Sequence, residues 1–91
     1  SDRYEVTSNR ESGLGRYDVM LNPKQAGDDG MILEFKVYDP DDESSLEETV
    51  QAALKQITEK KYEQTLLAQG IEKERIRKYG FAFRGKEVLI G

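Results

Sequence analysis

One mixed β-sheet with a long helix packed on it, an α/β (α+β) sandwich of order β-β-β-α-β-β, is the fold class the sequence predicts. Two strand-like runs, Arg16–Leu21 and Met31–Tyr38, flank the turn-rich segment Asn22–Gly30, which folds them back as neighbours. From Leu46 the chain carries apolar residues at helical spacing as far as a glycine stop at Gly70. Two short strand-like runs follow, joined at Arg84-Gly85-Lys86.

In order, the first strand covers about Arg3 to Thr7 and leads into a loop at Ser12-Gly13-Leu14-Gly15. The second runs from Arg16 to about Asn22 and stops at Pro23, which has no N–H to give a ladder. Met31–Tyr38 is the third. Ser44 and Ser45 offer caps, Ser45-x-x-Glu48 reads as a capping box, and the acidic lead-in suits the positive end of a helix dipole. The helix then extends from Leu46 to about Ala68, with Leu46, Val50, Ala53, Leu54 and Ile57 as its buried stripe. A charged connector leads to strands at Lys78–Phe83 and Glu87–Ile90, and there is no internal repeat or low-complexity tract.

Ninety-one residues make one domain, 1–91, and at this size roughly 60 to 65% of the unfolded surface is buried. No apolar run approaches the roughly 20 residues that span a bilayer, and no signal peptide is visible, so a cytoplasmic domain without a membrane partner is expected. The chain has no Cys and no His. That excludes disulfides, thiolate nucleophiles, zinc ribbons, imidazole bases and any Ser-His-Asp triad, and leaves chemistry to carboxylates, lysine and a metal-activated water. The net charge of −4 argues against nucleic acid, but its distribution is uneven. Residues 1–50 hold five basic and thirteen acidic side chains, residues 51–91 nine basic and five acidic. A phosphate-facing surface would come from Lys55, Lys60, Lys61, Arg75, Arg77, Lys78, Arg84 and Lys86, unless these simply form a solvated mixed-charge surface.

Within the apolar run Met31–Tyr38, Glu34 and Lys36 stand two residues apart and therefore on one face of the strand. Burying two charges costs several kcal/mol each unless they are paired, solvated or metal-bound. Asp18, on the neighbouring strand, can converge with them. Two carboxylates and a lysine at one spot suit metal-assisted phosphodiester hydrolysis, in which carboxylates hold a hard cation such as Mg2+ and lysine positions the water or stabilises developing charge. The alternatives are a cross-strand Glu34–Lys36 ion pair on a wet face and an Asp18 salt-bridged to Arg16.

The order Asp, then Glu-x-Lys, resembles the PD-(D/E)XK nuclease superfamily, and within it the nuclease-like domain C-terminal to an AAA-ATPase-like domain in bacterial proteins. The likeness is carried by Ser8–Asp18, Leu33-Glu34-Phe35-Lys36, Ala53–Ile57 with Lys60-Lys61-Tyr62, and Tyr79–Phe83 with Gly85-Lys86, nearly the whole chain in order. It implies a restriction-endonuclease-like core, Mg2+ (or Mn2+) as cofactor at Asp18 and Glu34, and a catalytic set of Asp18, Glu34, Lys36 and Gln56. It also implies a carboxylate at Glu11, either a further metal ligand or a cap on the glycine loop. Nucleic-acid contact falls to Lys60 and Arg16, and an ATPase-like domain of the same full-length chain is the expected partner. One further helix should precede the first strand. The chain begins at Ser1 without it, and so reads as a fragment of a longer protein. A bare sheet face would then expose residues such as Val19, Leu21, Leu33, Phe35 and Val37, and a homodimer of the fragment through that face is expected.

Gln56 and Lys60, four apart, share one flank of the helix, with ordinary surface polarity as their other reading. Tyr62 falls on the opposite flank by helical phase and is expected to pack on the sheet edge. Asp39, Asp41, Asp42 and Glu43 lack the glycine and spacing of an EF-hand loop and read as a solvated lead-in, while Gly13 and Gly15 lack the strand-loop-helix context of a phosphate loop. Two functions stay open: a metal-dependent nuclease cutting DNA or RNA, and a nuclease-like interaction or regulatory module with weak or no cleavage.

Overall fold

The computed structural model describes residues 2–11 and 16–91, except for the side chains of 10, 11 and 16. Its strands are β1 (Tyr4–Glu11), β2 (Arg16–Pro23), β3 (Gly30–Val37), β4 (Ile76–Arg84) and β5 (Glu87–Ile90). Two helices, α1 (Leu46–Lys60) and α2 (Tyr62–Ala68), and a 3-10 turn at Lys73–Arg75 fill the connection from β3 to β4. The sheet order is β1-β2-β3-β4-β5. Every pairing is antiparallel except β3 with β4, whose parallel alignment requires the long helical crossover. The expected mixed sheet and the order of elements along the chain are therefore present, and the single expected helix is two.

The break lies at Lys61, which takes a left-handed backbone (φ 60, ψ 30) and ends α1. Nothing in Lys-Lys announces this, because lysine rarely adopts that conformation. At the other end, Ser45 caps α1 by accepting from the Glu48 N–H at 3.2 Å. The Glu48 carboxylate reaches back to Ser44, its N–H at 3.1 Å and its hydroxyl at 2.6 Å, so the reciprocal half of the capping box lands one residue earlier than predicted. Strand β1 runs to Glu11, well past Thr7, because it pairs residue for residue with β2 from Tyr4↔Pro23 to Glu11↔Arg16. Its polar second half carries no apolar alternation to betray an edge strand held by backbone bonds.

Alternation in β3 decides which face the helices cover. Gly30, Ile32, Glu34 and Lys36 are buried, and the residues between them only half so. Two apolar clusters form under the helices. Ile32, Ile57 and Leu66 pack with Met20, Leu54, Tyr62, Ile71 and Ile76, while Leu46, Val50 and Ala82 pack with Tyr38, Leu54 and Leu89. Between the clusters runs a cross-strand row with no apolar side chain: Asn9, Asp18, Glu34 and Gly80 are register partners, and Gly80 exchanges backbone hydrogen bonds with Gly91. On the other face Tyr17 stacks on Phe35 (4.6 Å between centroids) and Phe35 on Phe81 (4.8 Å). Val37, Val88 and Ile90 on this face are more than half exposed. Val19, Leu21, Leu33 and Phe35 are half-buried among their neighbours. No helix among the described residues is long and apolar enough to cross a membrane.

Gly80 lets α1 settle on the sheet beside Glu34. A Cβ there would lie 2.9 Å from the Val50 carbonyl oxygen and 3.2 Å from the Ala53 Cβ, both parts of the helix that cannot swing aside. Gly80→Ala should therefore destabilise the domain by about 1–3 kcal/mol through overpacking. A lowered urea midpoint at unchanged slope would show it, and an unchanged midpoint would mean α1 does not rest on this strand.

Candidate active site

Strand pairing places Asp18 on β2 directly opposite Glu34 on β3. Both lie on the helix-covered face, 3% and 0% exposed. Directly opposed residues have Cβ atoms about 4.5–5.5 Å apart, so two carboxylates meet in a layer from which water is largely excluded. The last turn of α1 lowers Lys60 onto them, its Nζ 2.8 Å from Asp18 Oδ2 and 3.8 Å from Glu34 Oε1. The Tyr62 hydroxyl donates to the same Asp18 oxygen at 3.1 Å and accepts in turn from the Asn9 amide at 3.3 Å. Burial, the foremost influence on Tyr62, holds its phenol above the ordinary value, so it remains a donor.

The helical-phase argument that set Tyr62 aside is thus overturned. In an unbroken helix Lys60 and Tyr62 would point to nearly opposite sides; the left-handed turn at Lys61 aims both at Asp18. Lys60 is also no surface residue, with only 15% of its side chain exposed. Asn9 was missed because nothing in a polar edge segment marks it, although its register position opposite Asp18 follows once β1 is extended.

Lys36 shares the covered face with Glu34 but turns to a different partner. Its Nζ lies 2.5 Å from Glu43 Oε2, and it also donates to the Val37 carbonyl at 3.4 Å. Glu43 is therefore no solvated lead-in. It is buried, and its other oxygen accepts from the Asp39 N–H (2.9 Å) and the Thr49 hydroxyl (2.8 Å). Its neighbours Asp41 and Asp42 are exposed as expected. Gln56, one turn before Lys60, is half-buried and lines, with Lys36, Lys55 and Glu43, a cavity of about 780 Å³ between α1 and segment 36–43. The side chains of Glu11 and Arg16, and residues 12–15 with the glycine loop, lie outside the described residues; the backbones of Glu11 and Arg16 pair across β1 and β2.

Much of the basic C-terminal half is neutralised. Arg77 pairs with Asp29 at 3.2 Å, Lys78 with Glu63 at 3.2 Å and Arg84 with Glu87 at 3.0 Å, and longer contacts link Arg75 to Asp29 and Lys55 to Glu59. At these residues the mixed-charge reading of the sequence describes the surface better than a phosphate-facing one.

Burial pushes the Glu43 carboxyl up, but the hydrogen bonds from Lys36, the Asp39 N–H and Thr49 outweigh it and hold the group below its ordinary value of 4.5. A carboxyl lowered on folding contributes stability above the ordinary value and loses it as pH falls further. Glu43→Gln should cost about 3 kcal/mol at pH 7 by leaving the Lys36 ammonium buried without its counter-charge. The gap between variant and parent should close as urea titrations move below that value, whereas a pH-independent gap would assign the loss to packing.

A family model described as the PD-(D/E)XK nuclease superfamily matches residues 1–91, the entire chain. Comparison with the curated proteins and with the solved structures yields no match. The paired Asp18 and Glu34 on adjacent strands, the Glu-x-Lys spacing and the five-stranded mixed sheet under a helix agree with that match, and the chain belongs to the PD-(D/E)XK nuclease superfamily.

Proposed function

We propose that this domain hydrolyses phosphodiester bonds of DNA or RNA with Mg2+ or Mn2+ held at Asp18 and Glu34. The observation that carries this reading is the buried, directly opposed carboxylate pair already gathered around one cation, the Lys60 ammonium. The donor set fits a hard divalent ion: two carboxylates supply anionic oxygens, and Mg2+ typically keeps water in the remaining positions. Among the described residues no third acidic side chain joins them, and Glu11 is the sequence candidate for one. When bound, the ion would supply neutralisation of phosphate charge and a more acidic water.

The protein's own groups do the rest. The Tyr62 hydroxyl, steadied by Asn9, fixes the orientation of Asp18. The helix that settles close over Gly80 leaves Glu34 no exposed surface, so a charge held there is poorly screened. Lys36 retains a third N–H beyond those engaged by Glu43 and Val37, and one residue pair along β3 from Glu34 it can meet charge developing on the phosphate. Gln56 lines the adjoining cavity, where its amide can orient a ligand.

A second reading has its own support: the paired surface cations and the exposed Val37, Val88 and Ile90 beside the aromatic row favour an interaction module that cleaves weakly or not at all, with the ATPase-like domain that the resemblance implies as its partner.

Labelled single- and double-stranded DNA and RNA, incubated with Mg2+, Mn2+ or EDTA, separate the two. The nuclease reading expects metal-dependent cleavage that EDTA, Asp18→Asn and Glu34→Gln each abolish, and a loss of about a hundredfold in Lys36→Ala. No cleavage of any substrate would favour the interaction module. Cleavage unchanged in Lys36→Ala, with only a lower melting temperature, would confine that lysine to balancing Glu43.

A further inference from the structure

We propose that Lys60 is a tethered stand-in for the divalent cation: its ammonium holds Asp18 and Glu34 together in the metal-free protein and must be displaced outward before an ion can bind. The proposal rests on the reading that these two carboxylates are the metal ligands.

Lys60 Nζ contacts both, at 2.8 Å from Asp18 Oδ2 and 3.8 Å from Glu34 Oε1. The two carboxylates that would hold an ion are the same two that the ammonium now contacts. Two cations cannot share that pair, because positive charges a few ångströms apart in a poorly screened layer repel by several kcal/mol. A divalent ion carries twice the charge of the Lys60 ammonium, so it is the stronger counter-charge for two carboxyl groups and the exchange is favourable at sufficient concentration. A way out exists. Lys60 is the final residue of α1, its side chain already touches solvent, and the left-handed Lys61 follows it, so its long stem can swing aside without unwinding the helix. Once displaced, the ammonium remains at the rim of the site, where a phosphate would enter.

Manganese titration by calorimetry tests the exchange. Lys60→Gln removes the competing charge and should bind Mn2+ at least tenfold more tightly than the parent, while melting at a lower temperature without metal. Circular dichroism verifies the fold, and equal or weaker Mn2+ binding by a folded variant would overturn the proposal. If that variant does not fold, the unaltered protein still decides. Acylation of its lysines followed by peptide mass spectrometry should show Lys60 labelled several-fold faster in MgCl2 than in KCl of equal ionic strength, with Lys55 unchanged. An unchanged Lys60 rate would reject displacement. Failure of both parent and variant to bind Mn2+ would sink the metal reading along with this one, whereas equal binding in both would sink only the stand-in role.

Discussion

Two carboxyl groups that face each other across adjacent strands, in the dry layer beneath a helix, set the terms for the rest of this domain. When both are ionised, two such charges about 5 Å apart at an effective dielectric constant of about 20 repel by roughly 3 kcal/mol before desolvation is counted. A sheet that buries such a pair must hold a cation close, keep water from reclaiming the carboxylates and fix their orientation. Lys60, the close approach of α1 over Gly80 and the Asn9–Tyr62 relay each meet one of those needs. A further buried pair, Lys36 with Glu43, stands one residue pair along β3. The covered face therefore carries buried charged side chains at Asp18, Glu34 and Lys36, and its apolar side chains gather in two small clusters that share Leu54. Charged groups placed there give up hydrophobic stabilisation that a chain of this length can hardly spare.

The part of this arrangement that depends on local periodicity was legible in the sequence. Alternation placed Glu34 and Lys36 on one face, the turn between β2 and β3 put Asp18 beside them, and the stripe from Leu46 to Ile57 announced the covering helix. Partner choice was not legible, because it depends on contacts between residues far apart or on loop geometry. Lys36 finds Glu43 only because segment 38–43 curls back so that Glu43 can bond the Asp39 N–H. Within a run of acids that glutamate looks like its solvated neighbours. Tyr62 lies in a segment that carries the family likeness, but an unbroken helix would turn it away from Asp18, and the break at Lys61 depends on geometry that local periodicity does not show.

The same alternation that buries charge on one side sends the aromatic residues to the other. Tyr17, Phe35 and Phe81 occupy one cross-strand row and stack with ring centroids 4.6 and 4.8 Å apart, offset-stacked contacts that stiffen the middle three strands from the face opposite the site. The two faces thus divide the labour: the aromatic row adds side-chain packing across β2, β3 and β4, while the backbone ladder, with strands about 4.7–4.9 Å apart, sets how closely Asp18 and Glu34 approach.

Lys61 is the one non-glycine residue among those described with a positive φ, and its position bears on the order of events during folding. Locally, the chain from Leu46 to Ala68 has every reason to continue as one helix, and a helix forms in about a microsecond or less. The left-handed turn that interrupts it is favoured only when Lys60 and Tyr62 reach Asp18, 42 and 44 residues away. Such contacts must wait for the loop-closure entropy of the β2-to-helix connection to be overcome. The bend that completes the acidic site therefore belongs to the late stages of folding, after the sheet has brought β2 under the helix, and the carboxylates acquire their lysine last.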